Sequence, residues 1–331
     1  MFRIVSVSLI LLLPGLAYSQ EAGSDSYGKF FTTIYANFHR GITGAATDEA
    51  AFALERGYFG YEYHISPEFY GKIGIDIGSP DDISPLSKIR RYAYFKNAFL
   101  RYTKNLLQIE FGMISLRQFN LQEEVWERRY LMKTIADENR LGFAADLGVN
   151  FNYKFSEALS ADFTVTNGEG YTNLQMDDKF KYSLAALLKF PKNIITRAGY
   201  DFMHNGITES TIFLFSSYDF RSKWNIAGEF ILKQNYGLKE NHDIWGVSFF
   251  GKYNLNTKYQ LFARFDKVGS NIPEDELNLW HFLNDGIALT TGIQYSPVKK
   301  IKFALNYQDW QPQAVHMKGG SLIFLNLELK I

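Results

Sequence analysis

The sequence predicts an all-β protein, a transmembrane antiparallel β-barrel of about sixteen strands with short turns at one end and long loops at the other. Three observations predict it. Apolar and polar residues alternate from Lys29 to the last residue, Ile331; polar connections interrupt the alternation in a short, long, short, long order; and aromatics abound, with 21 Tyr and 29 Phe. A two-residue period is a strand. A strand apolar on one face and polar on the other suits lipid outside and water inside a closed sheet.

The chain opens with Met1, Phe2 and Arg3, an apolar run over 4–13, then Pro14, Gly15 and the small-residue site Ala17, Tyr18, Ser19. One positive charge, a short apolar core and a small-x-small site predict a cleaved secretory signal peptide over 1–19, leaving 20–331 as a single barrel domain. About ten apolar residues are too few to anchor in a hydrocarbon core of ~30 Å. No cysteine lies near the cleavage point, which excludes a lipoprotein.

The alternation is plainest near the end of the chain. Ile323, Leu325, Leu327, Leu329 and Ile331 fall on one face, with Phe324, Asn326, Glu328 and Lys330 on the other. Tyr259, Leu261, Ala263 and Phe265 oppose Gln260, Arg264 and Asp266 in the same way, as Ile301, Phe303, Leu305 and Tyr307 oppose Lys302, Asn306 and Gln308. Short connections fall at 66–67, 104–105, 156–157, 191–193, 221–222, 256–257 and 298–299. Longer polar ones fall at 41–49, 79–89, 118–140, 167–178, 205–209, 235–242, 269–285 and 311–320. Seven short turns and eight long loops join sixteen strands, an even number as bacterial barrels have.

The short turns are expected on the periplasmic side and the long loops outside the cell. Beside the short turns stand Tyr63, Phe69, Tyr102, Tyr153, Phe190, Tyr218, Trp224, Tyr253, Tyr259 and Tyr295, which parity turns outward as an aromatic girdle.

Composition agrees with this plan. No cysteine is present, so disulfides, thiolate chemistry and zinc-thiolate sites are excluded. Lys and Arg number 35 against 35 Asp and Glu, a balance that gives no field for nucleic acid. A mean hydropathy of -0.19 fits a barrel in which half of every strand is polar. The eight Pro fall largely at turns or loops, as a hydrogen-bonded sheet requires.

Parity places Lys72, Asp76, Asn97, Arg101, Glu110, Asp146, Asn150, Lys154, Asp162, Lys181, Lys189 and Arg197 inward, followed by Asp201, Glu229, Lys233, Lys252, Arg264, Asp266, Lys302 and Asn306. Both signs are present. Such charges need water or partners, and a barrel of this size leaves an aqueous channel. Most should pair across the wall; a minority would sit at a constriction and set selectivity.

The longest connection, 118–140, gathers Glu123, Glu124, Glu127, Arg128, Arg129, Lys133, Glu138 and Arg140 around Trp126 and Tyr130. The spacings Glu124 to Arg128 and Arg129 to Lys133 suit a short helix, although the second pair is like-charged. Over 112–148, Trp126, Arg128-Arg129-Tyr130, Asp137-Glu138 and the strand that follows resemble the general porins and the phosphate-selective-porin-like family of Bacteroidetes-type Gram-negative bacteria. The strand plan extends the resemblance over the whole mature chain.

The resemblance implies a third long loop folded into the lumen, a homotrimer, and a cell-outer-membrane site among lipid and lipopolysaccharide. Constriction candidates are then Arg128, Arg129, Lys133 and Glu124 on the loop, with Arg101, Glu110, Asp146 and Arg197 on the wall. The alternative is a solvated helix on the outer surface. Phosphate is not implied, because anion selection wants a ladder of arginines and lysines and this interior is balanced.

The expected function is a passive, water-filled channel for small hydrophilic solutes or ions, with no covalent step and no cofactor. A barrel-form enzyme, lipase-like, would need a nucleophile, base and orienter near one rim, and the sequence carries no GxSxG, P-loop or dinucleotide fingerprint. A structural or adhesive barrel would want larger loops. His39, His64, His204, His242, His281 and His316 show no ligand spacing, and Asp81-Asp82 has too few oxygens for a dedicated calcium site.

Overall fold

The computed structural model describes residues 26–78, 93–272 and 280–331. The proposed signal peptide, the Asp81-Asp82 pair and parts of two long loops lie outside the described residues. Sixteen strands follow one another in chain order. They are β1 (Tyr27–Gly44), β2 (Ala50–His64), β3 (Phe69–Ile77), β4 (Ala93–Lys104), β5 (Leu107–Ser115), β6 (Ala145–Lys154), β7 (Leu159–Thr166) and β8 (Lys181–Phe190). The second half comprises β9 (Ile194–Asn205), β10 (Ile207–Phe220), β11 (Trp224–Gln234), β12 (Ile244–Asn254), β13 (Tyr259–Ser270), β14 (Gly286–Val298), β15 (Ile301–Pro312) and β16 (Gly320–Lys330). Two helices, α1 (Arg117–Trp126) and α2 (Ile135–Glu138), stand between β5 and β6.

Each strand pairs antiparallel with its sequence neighbours, and β16 returns to β1 with Phe38 opposite Leu325 and Thr33 opposite Lys330. The sheet is a closed barrel. Closure leaves no row of unpaired backbone groups, which is what allows a sheet to stand in lipid.

The two-residue period holds around the wall. Leu261, Phe265, Phe303, Leu305, Ile323 and Leu325 are exposed on the outside, whereas Arg264, Asp266, Asn306, Asn326 and Glu328 are buried on the inside. The aromatic girdle is built from cross-strand pairs. Phe69 lies opposite Tyr102 with ring centroids 5.0 Å apart, Trp224 opposite Tyr253 at 4.1 Å, and Tyr259 opposite Tyr295 at 4.9 Å.

Two departures from strict alternation matter. Between β1 and β2, Tyr35 pairs with Arg56 and Ala36 with Leu54, so Glu55 is an extra residue in the ladder. This bulge turns both Glu55 and Arg56 toward the interior, where Glu55 accepts from Asn37 Nδ2 at 2.7 Å and Arg56 lies 3.5 Å from Asp76. The connection expected to be long at 205–209 is instead tight. Only Gly206 separates β9 from β10, its φ of +77° lying in the region open to glycine, and Asn205 pairs directly with Ile207.

Candidate pore constriction

The inner faces of β10 to β13 carry apolar side chains where water is expected. Phe213, Phe215, Ile231, Ile244, Phe250, Phe262 and Val268 are all nearly solvent-free. What dries them is the segment containing α1 and α2. Phe119, Ile135, Ala136 and Leu141 pack into one cluster with Phe213, Ile231, Ile244 and Val268. Trp126 and Tyr130 pack into a second with Phe215, Phe250 and Phe262. The Trp126 ring meets Phe250 edge-on at 5.3 Å. Apolar burial, at ~1.5–3 kcal/mol per large side chain, therefore holds the segment against the far wall from β5 and β6, where it begins and ends.

Polar ties fix its position. Tyr130 Oη donates to Gln294 at 2.9 Å, Lys302 Nζ to the Glu127 carbonyl at 3.2 Å, Arg264 Nη1 to the Lys133 carbonyl at 2.6 Å, and Asn326 Nδ2 to the Tyr130 carbonyl at 3.3 Å. Near its start, Arg117 Nε donates to Asn150 Oδ1 at 3.0 Å. The segment thus touches β6 at one side of the barrel and β13 to β16 at the other, spanning the lumen.

The helix lies earlier than the spacing of charges suggests. It stops at Trp126, because Glu127 turns left-handed at φ 58° and its N–H closes on the Glu123 carbonyl at 2.9 Å. Arg128 is accordingly outside the helix, and the Glu124 to Arg128 and Arg129 to Lys133 pairs do not form. Arg129 reaches instead to Glu123 and to Asp137, the latter at 2.5 Å, while its Nε donates to Tyr58 Oη at 3.2 Å. Burial works against the ionised Asp137 carboxyl, but the neighbouring Arg129 and Lys133 outweigh it and hold that carboxyl below its usual range. Against its own burial, Tyr58, Glu123 and Asp137 hold the Arg129 guanidinium above its ordinary value.

The segment stands between cavities on its two sides, two larger ones and one of about 360 Å³ bordered by Glu124, Glu127, Lys189 and Lys252. One, of about 440 Å³, opens toward the long loops and is lined by Asn37, Glu55, Arg56, Arg129, Lys133, Glu138, Asp266 and Asp309 among others. The second, of about 460 Å³, lies toward the short turns and presents Lys72, Arg101, Glu110, Arg117, Glu124 and Arg197. Most of these cations are matched. Lys72 pairs with Glu62 at 2.9 Å, Arg101 with Glu110 at 2.6 Å, and Arg197 with Asp162 at 2.7 Å.

The constriction candidates are therefore split between two chambers. Arg129 and Lys133 face the long-loop cavity; Arg101, Glu110, Glu124 and Arg197 face the short-turn cavity. Two candidates, Arg128 and Asp146, line neither. Arg128 is 1% exposed, its guanidinium 4.7 Å from the Phe262 ring and 5.5 Å from that of Trp126, with Nη1 donating to the Trp126 carbonyl. Its planar cation stacks against these two rings. Asp146 accepts from the N–H of Gly168 at 2.6 Å and that of Leu147 at 2.8 Å, so its carboxylate anchors the loop after β7.

Sequence reasoning missed Arg117 and Arg56. Arg117 sits one residue before the polar run at 118–140, so parity assigned it to no face. Arg56 lies in the bulge, whose only sequence sign is the adjacent charged pair Glu55-Arg56 inside an otherwise alternating strand.

No protein-family model matches the chain, and no curated protein matches it. Solved structures do match. The outer membrane channel DcaP of Acinetobacter baumannii is similar with a TM-score of 0.66 at 11% identity, over 92% of this chain and 97% of that one. The anion-selective porin from Comamonas acidovorans is similar at 0.64 and 9%, over 93% and 100%. OmpT of Vibrio cholerae in its trimer form is similar at 0.58 and 11%, over 92% and 99%. The chain has the fold of outer-membrane porins. At such identities the likeness is one of fold alone. Among the described residues no group of three His, Asp or Glu is placed to hold a metal ion.

Proposed function

We propose that the protein is an outer-membrane porin of a Gram-negative bacterium, a passive water-filled channel for small hydrophilic solutes or ions. The observation that carries the reading is the segment of α1 and α2 laid across the lumen, with a charge-lined chamber on each side of it. Solutes pass the segment by diffusion, filtered by the space the segment leaves within the barrel.

Selectivity is weak in this reading, because nearly every wall cation has a carboxylate beside it. Lipid and lipopolysaccharide surround the barrel, and the working unit is a homotrimer, a state in which the similar OmpT of Vibrio cholerae is described. The proposal extends to the phosphate-selective-porin-like family through Trp126, Arg128-Arg129-Tyr130 and Asp137-Glu138. Those motif residues pack and clamp the segment, so the likeness is one of architecture and does not bring phosphate with it.

Liposome swelling tests the proposal. Vesicles holding the purified protein should swell in isotonic sugars at rates that fall with solute size. Vesicles that stay tight to every sugar and salt, with the barrel folded in them, would contradict it.

A further inference from the structure

The seven short turns divide into two groups by charge. The turns over 191–193, 221–223, 255–258 and 299–300, which join β8 to β9, β10 to β11, β12 to β13 and β14 to β15, contain Lys192, Arg221, Lys223, Lys258, Lys299 and Lys300 and no carboxylate. The turns over 65–68, 105–106 and 155–158, on the β2 to β7 side, contain Glu68 and Glu157, with Lys104 and Lys154 at the flanking strand ends and Lys154 paired to Glu157. All six cationic residues are exposed, and none has a carboxylate within ion-pair distance among the described residues. A chain with balanced charge has gathered an unneutralised basic arc on one side of one rim.

The local geometry indicates that charge, and not turn formation, selects these residues. Lys192 at φ 67° and Arg221 at φ 52° open two-residue left-handed turns, positions that asparagine and glycine fill with less strain. Their neighbours carry the cations onto the outward girdle. The Arg221 guanidinium lies 5.1 Å from the Phe220 ring and Lys223 Nζ lies 5.4 Å from the Tyr253 ring. Phe220, Trp224 and Tyr253 face outward at the level where lipid headgroups meet water.

We propose that the basic arc over β8 to β15 binds the anionic headgroups of phospholipids, the phosphodiester of phosphatidylglycerol being the chemistry it fits. The inference rests on the reading of the barrel as membrane-spanning. An arc of unpaired Lys and Arg set on an interfacial aromatic belt matches a two-dimensional layer of phosphate groups, and a soluble polyanion would have no need of the aromatics. The β2 to β7 side of the same rim, where Glu68 and Glu157 stand beside Lys104 and the paired Lys154, recruits less of such lipid. Anionic lipid therefore gathers asymmetrically around the barrel.

The experiment reconstitutes the full mature chain in vesicles mixing phosphatidylethanolamine with phosphatidylglycerol, extracts it gently, and counts each retained lipid by native mass spectrometry. A variant carrying Lys192→Gln, Arg221→Gln, Lys223→Gln, Lys258→Gln, Lys299→Gln and Lys300→Gln runs in parallel, with heat-modifiable gel migration reporting that both barrels are folded. Phosphatidylglycerol should be enriched over its bulk fraction on the native chain and return to the bulk ratio in the variant or at high salt. Equal enrichment in both chains, or none in either, overturns the proposal. So does preferential capture of soluble peptidoglycan fragments by the arc with no lipid enrichment. Insertion into vesicles of phosphatidylcholine alone is scored separately, so a barrel that enters no bilayer marks the failure of the membrane reading itself.

Discussion

The Nη1 of Arg129 lies 2.5 Å from Oδ2 of Asp137, binding the two ends of the lumenal segment to each other across the break between its helices. Glu123 completes the clamp from α1, and Tyr58 on β2 ties it to the near wall. Since burial alone would raise the Asp137 carboxyl and the cations beside it lower it below 3.8, the docked segment binds this proton less readily than an undocked one. The clamp is fully present above that value and is lost as pH falls through the depressed one. Single-channel current noise should thus be flat from neutral pH down to about pH 4 and rise below it.

Arg129→Gln should make that noise high at every pH. It removes the guanidinium that Asp137 and Glu123 share, a change that costs up to ~3–5 kcal/mol when a buried pair loses one partner. Proteolysis of the folded barrel should cut first within 117–141 in this variant. Resistance equal to that of the native chain would show that the apolar clusters alone suffice.

Trp126→Ala removes the indole that fills the space between Phe250 and Phe262. The expected cost to docking is ~3–5 kcal/mol, that of truncating a large aromatic in a core. Barrel melting in detergent should change little, because the strand ladder is untouched. A collapse of the barrel itself would mean that the segment is part of its core.

Leu261→Arg and Gln260→Arg place the same charge on the two faces of β13. Leu261 is exposed outward and Gln260 faces the interior. The first should lower unfolding free energy in lipid by ~2–4 kcal/mol relative to the second. Equal values would show that the outer face is not in hydrocarbon.

Charge reversal at Arg117 and at Arg128 should differ in kind. Arg117→Glu alters a side chain lining the short-turn chamber, so the reversal potential in a salt gradient should move toward cations. Arg128→Glu buries a carboxylate against two rings and should loosen the segment, raising noise with little change in selectivity. Reversal potentials displaced equally by both would return Arg128 to the channel wall.

The barrel was legible because the wall strands, apart from bulges such as that at Glu55, follow one rule, period two, and each short turn has its own polar signal. Phe303 outward and Asn306 inward follow from that rule with no knowledge of the rest of the chain. The segment across the lumen obeys no such rule. Arg128 and Arg129 are adjacent and chemically alike, yet one stacks beneath Trp126 and the other clamps two carboxylates. Which does which is set by the left-handed turn at Glu127 and by apolar residues of β10 to β13 that lie ~85 or more positions away in sequence. The bulge at Glu55 escaped for a related reason, since an inserted residue reverses parity and only the partner strand reveals where.

Planar-bilayer recording of the native chain beside a variant lacking residues 118–140 tests the central claim most directly. If the segment forms the narrowest part of an open channel, the native protein should conduct in steady, near-ohmic steps and the deletion should conduct several-fold more with weaker ion preference. A native barrel that inserts without conducting, or a folded deletion variant with unchanged conductance and reversal potential, would contradict it.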